Sequence, residues 1–568
     1  MMAERIWISD LLRNAVLLFT NRLRLLRSRK LDYIVLHMSG TYPERTVQRP
    51  RRFPLSLLPW PSPPPSVDSF ATSLERIAHD PRVKGAVLIM SDLAAGPATV
   101  GSLRAAILRL RQAGKRCVAY MHDLGTWTYY LASACDEILA PESTTFRATG
   151  LWSEAVFLKD TLALVGLEAD FEAIAEYKVS PDTMRRSKMT DPHREMLESL
   201  LDSLYNEITA TVAQGRDMSE EVVRSLFDEA PMTASQASDA GLIDDVCYED
   251  EVPHRLGTQE EPATLAAWSA ARRRLVQPRR WRSRRAIGVI SVVGTIVQGS
   301  SQRSPIPVPI PLPLPPAQAG SDTLVQQLRA AARDKAIAAV ILHVDSPGGS
   351  AMASDLIWRE AANLREKKPL VVYMSNRAAS GGYYVSAPAS EIFAQPTTLT
   401  GSIGIWGGKL IAAGLYDKLE IGRESVSRGR AAGMYADAAP FSDEERAKLR
   451  ANIGIGYARF KDRVARGRSL LEDEVEAIAR GRVWTGEQAL KRGLVDALGD
   501  LHDAAERARQ LAEVSPKRYA PLVDVTAPKH THLAQASPAE VGAWLDGLGS
   551  LLREGIYALA PWNIQIRD

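Results

Sequence analysis

Cysteine is nearly absent from this chain, with Cys117, Cys135 and Cys247 its three thiols in 568 residues. So few and so scattered, they build neither a disulfide framework nor a paired CxxC metal site. A charge of one sign is missing too. The 70 Lys and Arg nearly balance 67 Asp and Glu, leaving a net +3 that singles out no class of partner. A basic run spans Arg272-Arg273-Arg274 and Arg279-Arg280-Trp281-Arg282-Ser283-Arg284-Arg285. No nucleic-acid motif accompanies it, so nucleic-acid binding is not expected. Near the N-terminus the longest uncharged apolar stretch, Asn14-Ala15-Val16-Leu17-Leu18-Phe19-Thr20-Asn21, is short. It falls well below the ~18 residues of a span, so neither a membrane span nor a secretory signal is expected. Finally, there is no GxSxG elbow, and His343 sits within an apolar strand, which argues against a Ser-His-Asp triad.

What is present is a pair of glycine turns. Arg377-Ala378-Ala379-Ser380-Gly381-Gly382-Tyr383-Tyr384 reads as a strand-to-helix turn that exposes a hydroxyl. Some 30 residues upstream, Asp345-Ser346-Pro347-Gly348-Gly349-Ser350 follows the apolar run Val340-Ile341-Leu342-His343-Val344. Glycine lets a substrate backbone approach, because it has no Cβ in the way. Together the turns could supply a nucleophile and N–H groups for an oxyanion, or be two ordinary βα turns.

The chain repeats itself. Tyr129-Tyr130-Leu131-Ala132 through Glu137-Ile138-Leu139-Ala140 falls on Tyr383-Tyr384-Val385-Ser386 through Glu391-Ile392-Phe393-Ala394, an offset of 254. Gly150-Leu151-Trp152 falls on Gly404-Ile405-Trp406 at the same offset. Later the offset is 252, where Ala240-Gly241-Leu242-Ile243-Asp244 meets Arg492-Gly493-Leu494-Val495-Asp496. A tandem duplication is therefore expected. In the second unit, apolar runs 287–293, 340–344 and 370–374 read as strands, and 323–333 and 353–366 as helices. That alternation predicts an α/β fold of parallel crossovers, with both glycine turns at strand ends lining one crevice.

Comparing the repeats isolates the chemistry. Opposite Ser380-Gly381-Gly382 stands Thr126-Trp127-Thr128, and opposite Pro347-Gly348-Gly349 stands Leu93-Ala94-Ala95. The first repeat lacks both glycine turns. Conversely, Lys178 stands opposite Arg430. A buried lysine can lose its proton and act as a base, whereas an arginine effectively cannot. An isolated lysine is ordinarily a surface residue; the comparison is what raises Lys178 above that.

These motifs, with Leu399-Thr400-Gly401-Ser402-Ile403-Gly404-Ile405, Tyr177-Lys178 and Val483-Trp484-Thr485-Gly486, resemble the signal peptide peptidase A (protease IV) family. The similarity is to the long duplicated bacterial type, within the ClpP/crotonase-like superfamily, and covers roughly residues 30–510. The resemblance implies a serine endopeptidase in which Ser380 is the nucleophile, Lys178 the general base, and Ser402 a partner directing the amine. It also implies an oxyanion site from Gly381 with the Gly348-Gly349 turn, no metal or organic cofactor, and apolar peptide substrates such as cleaved signal peptides. A ring-shaped homo-oligomer, a tetramer, peripheral to or weakly anchored at the bacterial cytoplasmic membrane, on a side left open, completes the expectation. Two departures stand out. A short amphipathic segment replaces the family's N-terminal anchor, and Val179-Ser180-Pro181 follows the lysine where relatives favour Lys-Ser-Ala. The rival readings are a crotonase-like acyl-CoA hydrolase or isomerase, which leaves the Lys178–Ser380 pairing unexplained, and a non-catalytic membrane-protein scaffold.

The expected organisation is an amphipathic segment 1–30, a first unit 31–255, a basic linker 256–285, a second unit 286–510 and a tail 511–568. In the first segment Ile8, Leu11, Leu12, Ala15, Leu18 and Phe19 keep helical spacing among arginines, fitting either a membrane surface or packing on the protein itself. The linker reads as solvated and favourable to anionic lipid. Proline-rich loops follow the first strand of each unit, at 59–65 and 305–316, and the second, with proline at alternate positions, reads as extended polyproline or disordered. In the tail, Ser537-Pro538-Ala539-Glu540 opens a predicted helix whose apolar face carries Val541, Trp544, Leu545, Leu548, Leu551, Leu552 and Leu559.

Overall fold

The computed structural model describes residues 2–26, 30–46, 65–302, 317–527, 556–559 and 565–567, with backbone alone for 2–9 and the last two segments. Most of the first proline-rich stretch, all of the second, and the predicted tail helix up to Leu552 lie outside the described residues.

The first unit opens with helix α1 (Met2–Leu26) and strand β1 (Tyr33–Gly40), then α2 (Val67–His79), β2 (Gly85–Leu93), α3 (Pro97–Gln112) and β3 (Arg116–Met121). It continues with α4 (Thr126–Ala132), β4 (Glu137–Ala140), β5 (Trp152–Glu154), β6 (Glu168–Ile174) and a long α5 (Asp191–Arg216). Strands β4, β3, β2 and β1 lie side by side in that order, all parallel. Helix α2 buries Val67, Phe70, Leu74 and Ile77, a helical stripe that packs against this sheet, and Ser66 caps its first turn.

The second unit repeats the plan with β7 (Ala286–Val293), β8 (Thr295–Val297), β9 (Gln318–Gly320), α6 (Ser321–Arg333), β10 (Ile337–Ser346) and β11 (Gly348–Ser350). After these come α7 (Ala351–Arg365), β12 (Leu370–Ala379), α8 (Gly381–Ser386), β13 (Glu391–Ala394), β14 (Leu399–Gly401), β15 (Ile405–Ile411) and α9 (Asp443–Arg468). Two tail strands follow, β16 (Ile556–Leu559) and β17 (Gln565–Arg567). Strands β14, β12, β10 and β7 form its parallel core. Residues 337–344 of β10 are all buried, as a strand covered on both faces requires. Helices α2 and α6 coincide at the offset of 254, and α5 and α9 at 252, so the duplication is structural as well as sequential.

Several boundaries differ from the sequence reading. Strand β12 runs on to Ala379 because Arg377-Ala378-Ala379 pairs with β14, which carries the strand to the edge of Ser380. The basic linker is not simply solvated: Leu265–Ala267 adds a strand to the edge of the first sheet beside β1. Past residue 510, Leu522–Asp524 likewise pairs with β7. Both additions satisfy main-chain groups that an open sheet edge would leave unpaired. Leu559, expected on a helical face, lies in strand β16, which is paired on both sides; tertiary pairing there overrides helical spacing.

The two units are joined by main chain. Strand β6 of the first unit runs antiparallel along the whole of β15 of the second, from Ile174 opposite Ile405 to Glu168 opposite Ile411. Around that seam Arg446 of α9 bonds the buried Asp170 (2.8 Å) and Glu172 (2.6 Å), both on β6. Replacing Arg446 by methionine leaves the buried Asp170 carboxylate with the Phe441 N–H but without its ion-pair partner. We expect a loss of about 3 kcal/mol, read as a fall of several degrees in the melting temperature, with Arg446→Lys recovering part of it.

Helix α1 docks in an inverted sense. Its polar residues face the protein: buried Asp10 accepts from the Arg282 N–H at 2.7 Å, and Asn21 exchanges hydrogen bonds with Gln277. Its apolar residues Leu12, Val16, Phe19 and Leu26 are exposed. Among the described residues no helix is long and apolar enough to cross a membrane.

Candidate active site

Strand β12 ends at Ala379 and α8 begins at Gly381, so Ser380 alone makes the turn. It does so with φ 55° and ψ −115°, a conformation costly for a residue with a Cβ. The turn is held by the Ser380 N–H, which donates to the Gly401 carbonyl at 2.8 Å. Ser402, one residue further, also has positive φ (50°), and its N–H donates to Arg482 O at 2.7 Å. Two strained serines thus lie side by side at the end of the β12–β14 pair.

Lys178 reaches them from the other unit. Strand β6 ends at Ile174 beside Ile405, and the chain then turns so that Lys178 Nζ lies 2.7 Å from Ser380 Oγ. Nζ also donates to Ser402 Oγ (2.9 Å) and Ser402 O (3.0 Å). All three side chains are fully enclosed, at 0–1% exposure. Burial pushes the Lys178 ammonium well below the ordinary lysine value of 10.5, with no carboxylate opposing it. Burial thus disfavours the charge on the amine, which the Oγ and carbonyl of Ser402 hold beside the hydroxyl.

Strand β11 places the other glycine turn beside this pair. Gly348 has φ 99°, and a Cβ on Gly349 would stand 2.0 Å from the Ile296 carbonyl oxygen, so the turn fits against β8 only as glycine. The Gly348 N–H donates to Ser346 Oγ at 3.1 Å. Among the described residues no cluster of His, Cys, Asp and Glu could hold a metal ion. His343 is buried in β10, stacked on Tyr373, with its Nδ1 3.4 Å from Ser291 Oγ.

The model of peptidase family S49 matches this chain twice, over residues 109–261 and 362–515. The chain belongs to peptidase family S49. The chloroplastic serine protease SPPA of Arabidopsis thaliana is 32% identical over 82% of this chain and 68% of its own length. Protease 4 of Haemophilus influenzae is 28% identical over 77% and 72%. Among solved structures, a ClpP1 mutant from Listeria monocytogenes is similar over 38% of this chain and 94% of its own, at 15% identity and a TM-score of 0.23.

As a serine peptidase of the S49 family, the chain keeps one serine turn in two repeats. In the first repeat α4 starts at Thr126 behind Gly125, whose φ is −74°, so no strained hydroxyl is presented. Arg430, the counterpart of Lys178, is exposed and paired with Glu444. Two residues escaped the sequence reading of roles. Ser346 Oγ donates to Gly294 O (2.6 Å) while accepting from Gly348, and so ties down the glycine turn. Gly481, φ 82°, lies against the lysine backbone: a Cβ there would meet Lys178 N at 2.5 Å. Ser346 sat inside a quoted motif, but nothing local marks Gly481. The unusual Val179 is buried with Met196, Leu200 and Val483, a small apolar clamp between the units.

Proposed function

We propose that this protein is a serine endopeptidase that uses a Ser380–Lys178 dyad to degrade short apolar peptides, cleaved signal peptides among them. The single observation carrying this reading is the 2.7 Å approach of Lys178 Nζ to Ser380 Oγ, both side chains being buried. Neutral Lys178 takes the hydroxyl proton as Ser380 Oγ attacks the scissile carbonyl carbon. The oxyanion then receives hydrogen bonds from the N–H groups of Gly381 and Gly349. Collapse breaks the C–N bond, and the lysine ammonium returns its proton to the leaving amine. A water molecule, deprotonated by the same amine, attacks the acyl-enzyme and releases the second product. Preference for apolar peptides is supported by Phe171, Val297 and Trp406, which form one buried cluster on the sheet that carries β11 and β15.

The test is incubation of a synthetic signal peptide with the full chain, followed by mass spectrometry. Cuts within the apolar segment are expected. Intact peptide together with turnover of an acyl-CoA thioester would overturn the reading in favour of crotonase-like chemistry. Ser402→Ala separates positioning from binding. It is expected to lower kcat about 10–100-fold with KM nearly unchanged. The acid limb of its pH profile moves to lower pH, because the lost hydroxyl favours the ammonium form.

The assembly we propose is a homo-oligomeric ring, a tetramer. Strand β5 is the repeat counterpart of part of β15, which in the same chain carries β6. The counterpart of β6, residues 422–428, lies exposed, with Val426 outermost. A second copy could lay that segment along β5 and continue the pattern head to tail. Light scattering after gel filtration is expected to give a tetramer, and a monomer at all concentrations would exclude the ring. The outward apolar face of α1, flanked by Arg22 and Arg24, supports docking on an anionic membrane surface. Flotation with phosphatidylglycerol vesicles, lost in Phe19→Glu, is the corresponding test.

A further inference from the structure

We propose that Arg482 is a positioning residue for the Lys178–Ser380 pair, gripping the turn that carries the lysine and, through its own carbonyl, the serine that directs the amine. The inference rests on the dyad reading above and concerns what holds its two halves, supplied by different repeats, in line.

The ladder between β6 and β15 stops at Ile174, so strand pairing does not place the turn that runs from Ala175 to Lys178. Residues 480–482 of the second unit hold it instead. The Tyr177 N–H donates to Arg480 O at 3.3 Å, the Arg480 guanidinium pairs with Glu176 at 2.9 Å, and Gly481 packs on the lysine backbone. Arg482 closes the arrangement. Its guanidinium lies 4.8 Å from the centre of the Tyr177 ring and 4.5 Å from that of Trp484, and it donates to Glu195 Oε1 at 2.7 Å. Glu195, on α5, accepts from the Tyr177 hydroxyl at 2.8 Å through its other oxygen. With the Arg482 side chain only 17% exposed, the cation is attracted by two sheltered ring faces while its planar fork meets the carboxylate.

The main chain of the same residue faces the serines. Arg482 O accepts the Ser402 N–H at 2.7 Å. Next to it, Val483 pairs opposite Gly401, whose carbonyl accepts the Ser380 N–H at 2.8 Å. One residue therefore links the lysine turn to the serine turns. The repeats show that this clamp is no part of the plan of the unit. At the offset of 252 the counterparts of Tyr177, Glu195 and Arg482 are Gly429, Ala447 and Ala230. Ring, carboxylate and cation are all missing there. A contact required by the fold of each unit would recur in both copies, whereas this one accompanies the dyad.

Without the guanidinium, the Tyr177 turn loses its grip and the amine its fixed distance from the hydroxyl. With a fluorogenic apolar peptide, Arg482→Met is expected to lower kcat about 10–100-fold with KM nearly unchanged. Arg482→Lys keeps a charge facing Glu195 but not the flat fork between the rings, and is expected to lose about three- to tenfold. The acid limb of the kcat/KM profile is expected to move to higher pH in Arg482→Met, because water reaching the amine restores its proton affinity. Tyr177→Ala and the double variant Tyr177→Ala/Arg482→Met are expected to match Arg482→Met within about threefold, since the two residues act as a unit. A fall in kcat and melting temperature with the acid limb unmoved would mean a purely structural role and would overturn the proposal. Lys178→Met, measured alongside, separates the two readings. If it is inactive while Arg482→Met keeps native kcat and a native acid limb, the clamp alone is overturned. If Lys178→Met is active, the dyad falls and the clamp with it. Should Arg482→Met fail to fold, native kcat and a native acid limb in Arg482→Lys would overturn the proposal.

Discussion

Replacing Ser380 by alanine is expected to lower kcat/KM for apolar peptides by about 10⁴-fold or more, leaving a folded protein. Among the described residues, the hydroxyls within hydrogen-bond reach of the Lys178 amine are those of Ser380 and Ser402, and the Oγ and carbonyl of Ser402 bracket that amine. Because Ser380 sits at φ 55° and ψ −115°, the variants also sort by backbone strain. Ser380→Gly is expected to melt higher than Ser380→Ala by about 1 kcal/mol, since glycine occupies that region without cost. Both must be inactive. Measuring turnover and melting temperature on the same preparations checks the two parts, and activity within tenfold of the native chain in either variant would remove Ser380 from the mechanism.

Lys178→Met is the second large effect, and its two readouts move in opposite directions. Activity is expected to fall as far as in Ser380→Ala, because among the described residues Lys178 is the base that touches the hydroxyl. Stability is expected to rise. In the native chain burial lowers the lysine's proton affinity, while the unfolded form carries the proton up to the ordinary value of 10.5. Between the depressed folded value and 10.5 the unfolded state binds one more proton. Native stability therefore increases with pH in that window, by up to about 1.4 kcal/mol per pH unit. Methionine has no such dependence, so its melting advantage should be larger at pH 7 than at pH 10. An advantage that does not change with pH would mean that the lysine is charged in the folded state. The same ionisation predicts that kcat/KM of the native enzyme falls on the acid side through a single group, without any histidine.

Much of the fold was legible because parallel-sheet strands are apolar on both faces and helices carry a stripe. Val340 to Val344 and the Thr323 to Arg333 helix were visible for that reason, and the offset between repeats exposed the lost serine turn at Thr126. Strand ends were less legible: Ala378 and Ala379 have no strand signature of their own, and their pairing with Thr400 and Gly401 decides the matter. The site was half legible. Ser380 was marked by its own glycines, but Lys178 was marked only by contrast with Arg430, and Gly481 by nothing.

By itself, then, the sequence determined that one unit was duplicated, that each copy is a layered α/β body, and that one copy has a serine turn where the other has a candidate lysine. Those are local or periodic facts, readable wherever side-chain chemistry repeats along the chain. The tertiary structure alone decided that β6 crosses to β15 and delivers Lys178 to Ser380, that α1 turns its polar side inward, and that Ile556–Leu559 pairs between β11 and β15. The reason is physical. Antiparallel pairing is made by N–H and C=O groups that every residue but proline carries, so a sequence records which segments can be strands and not which strands will meet.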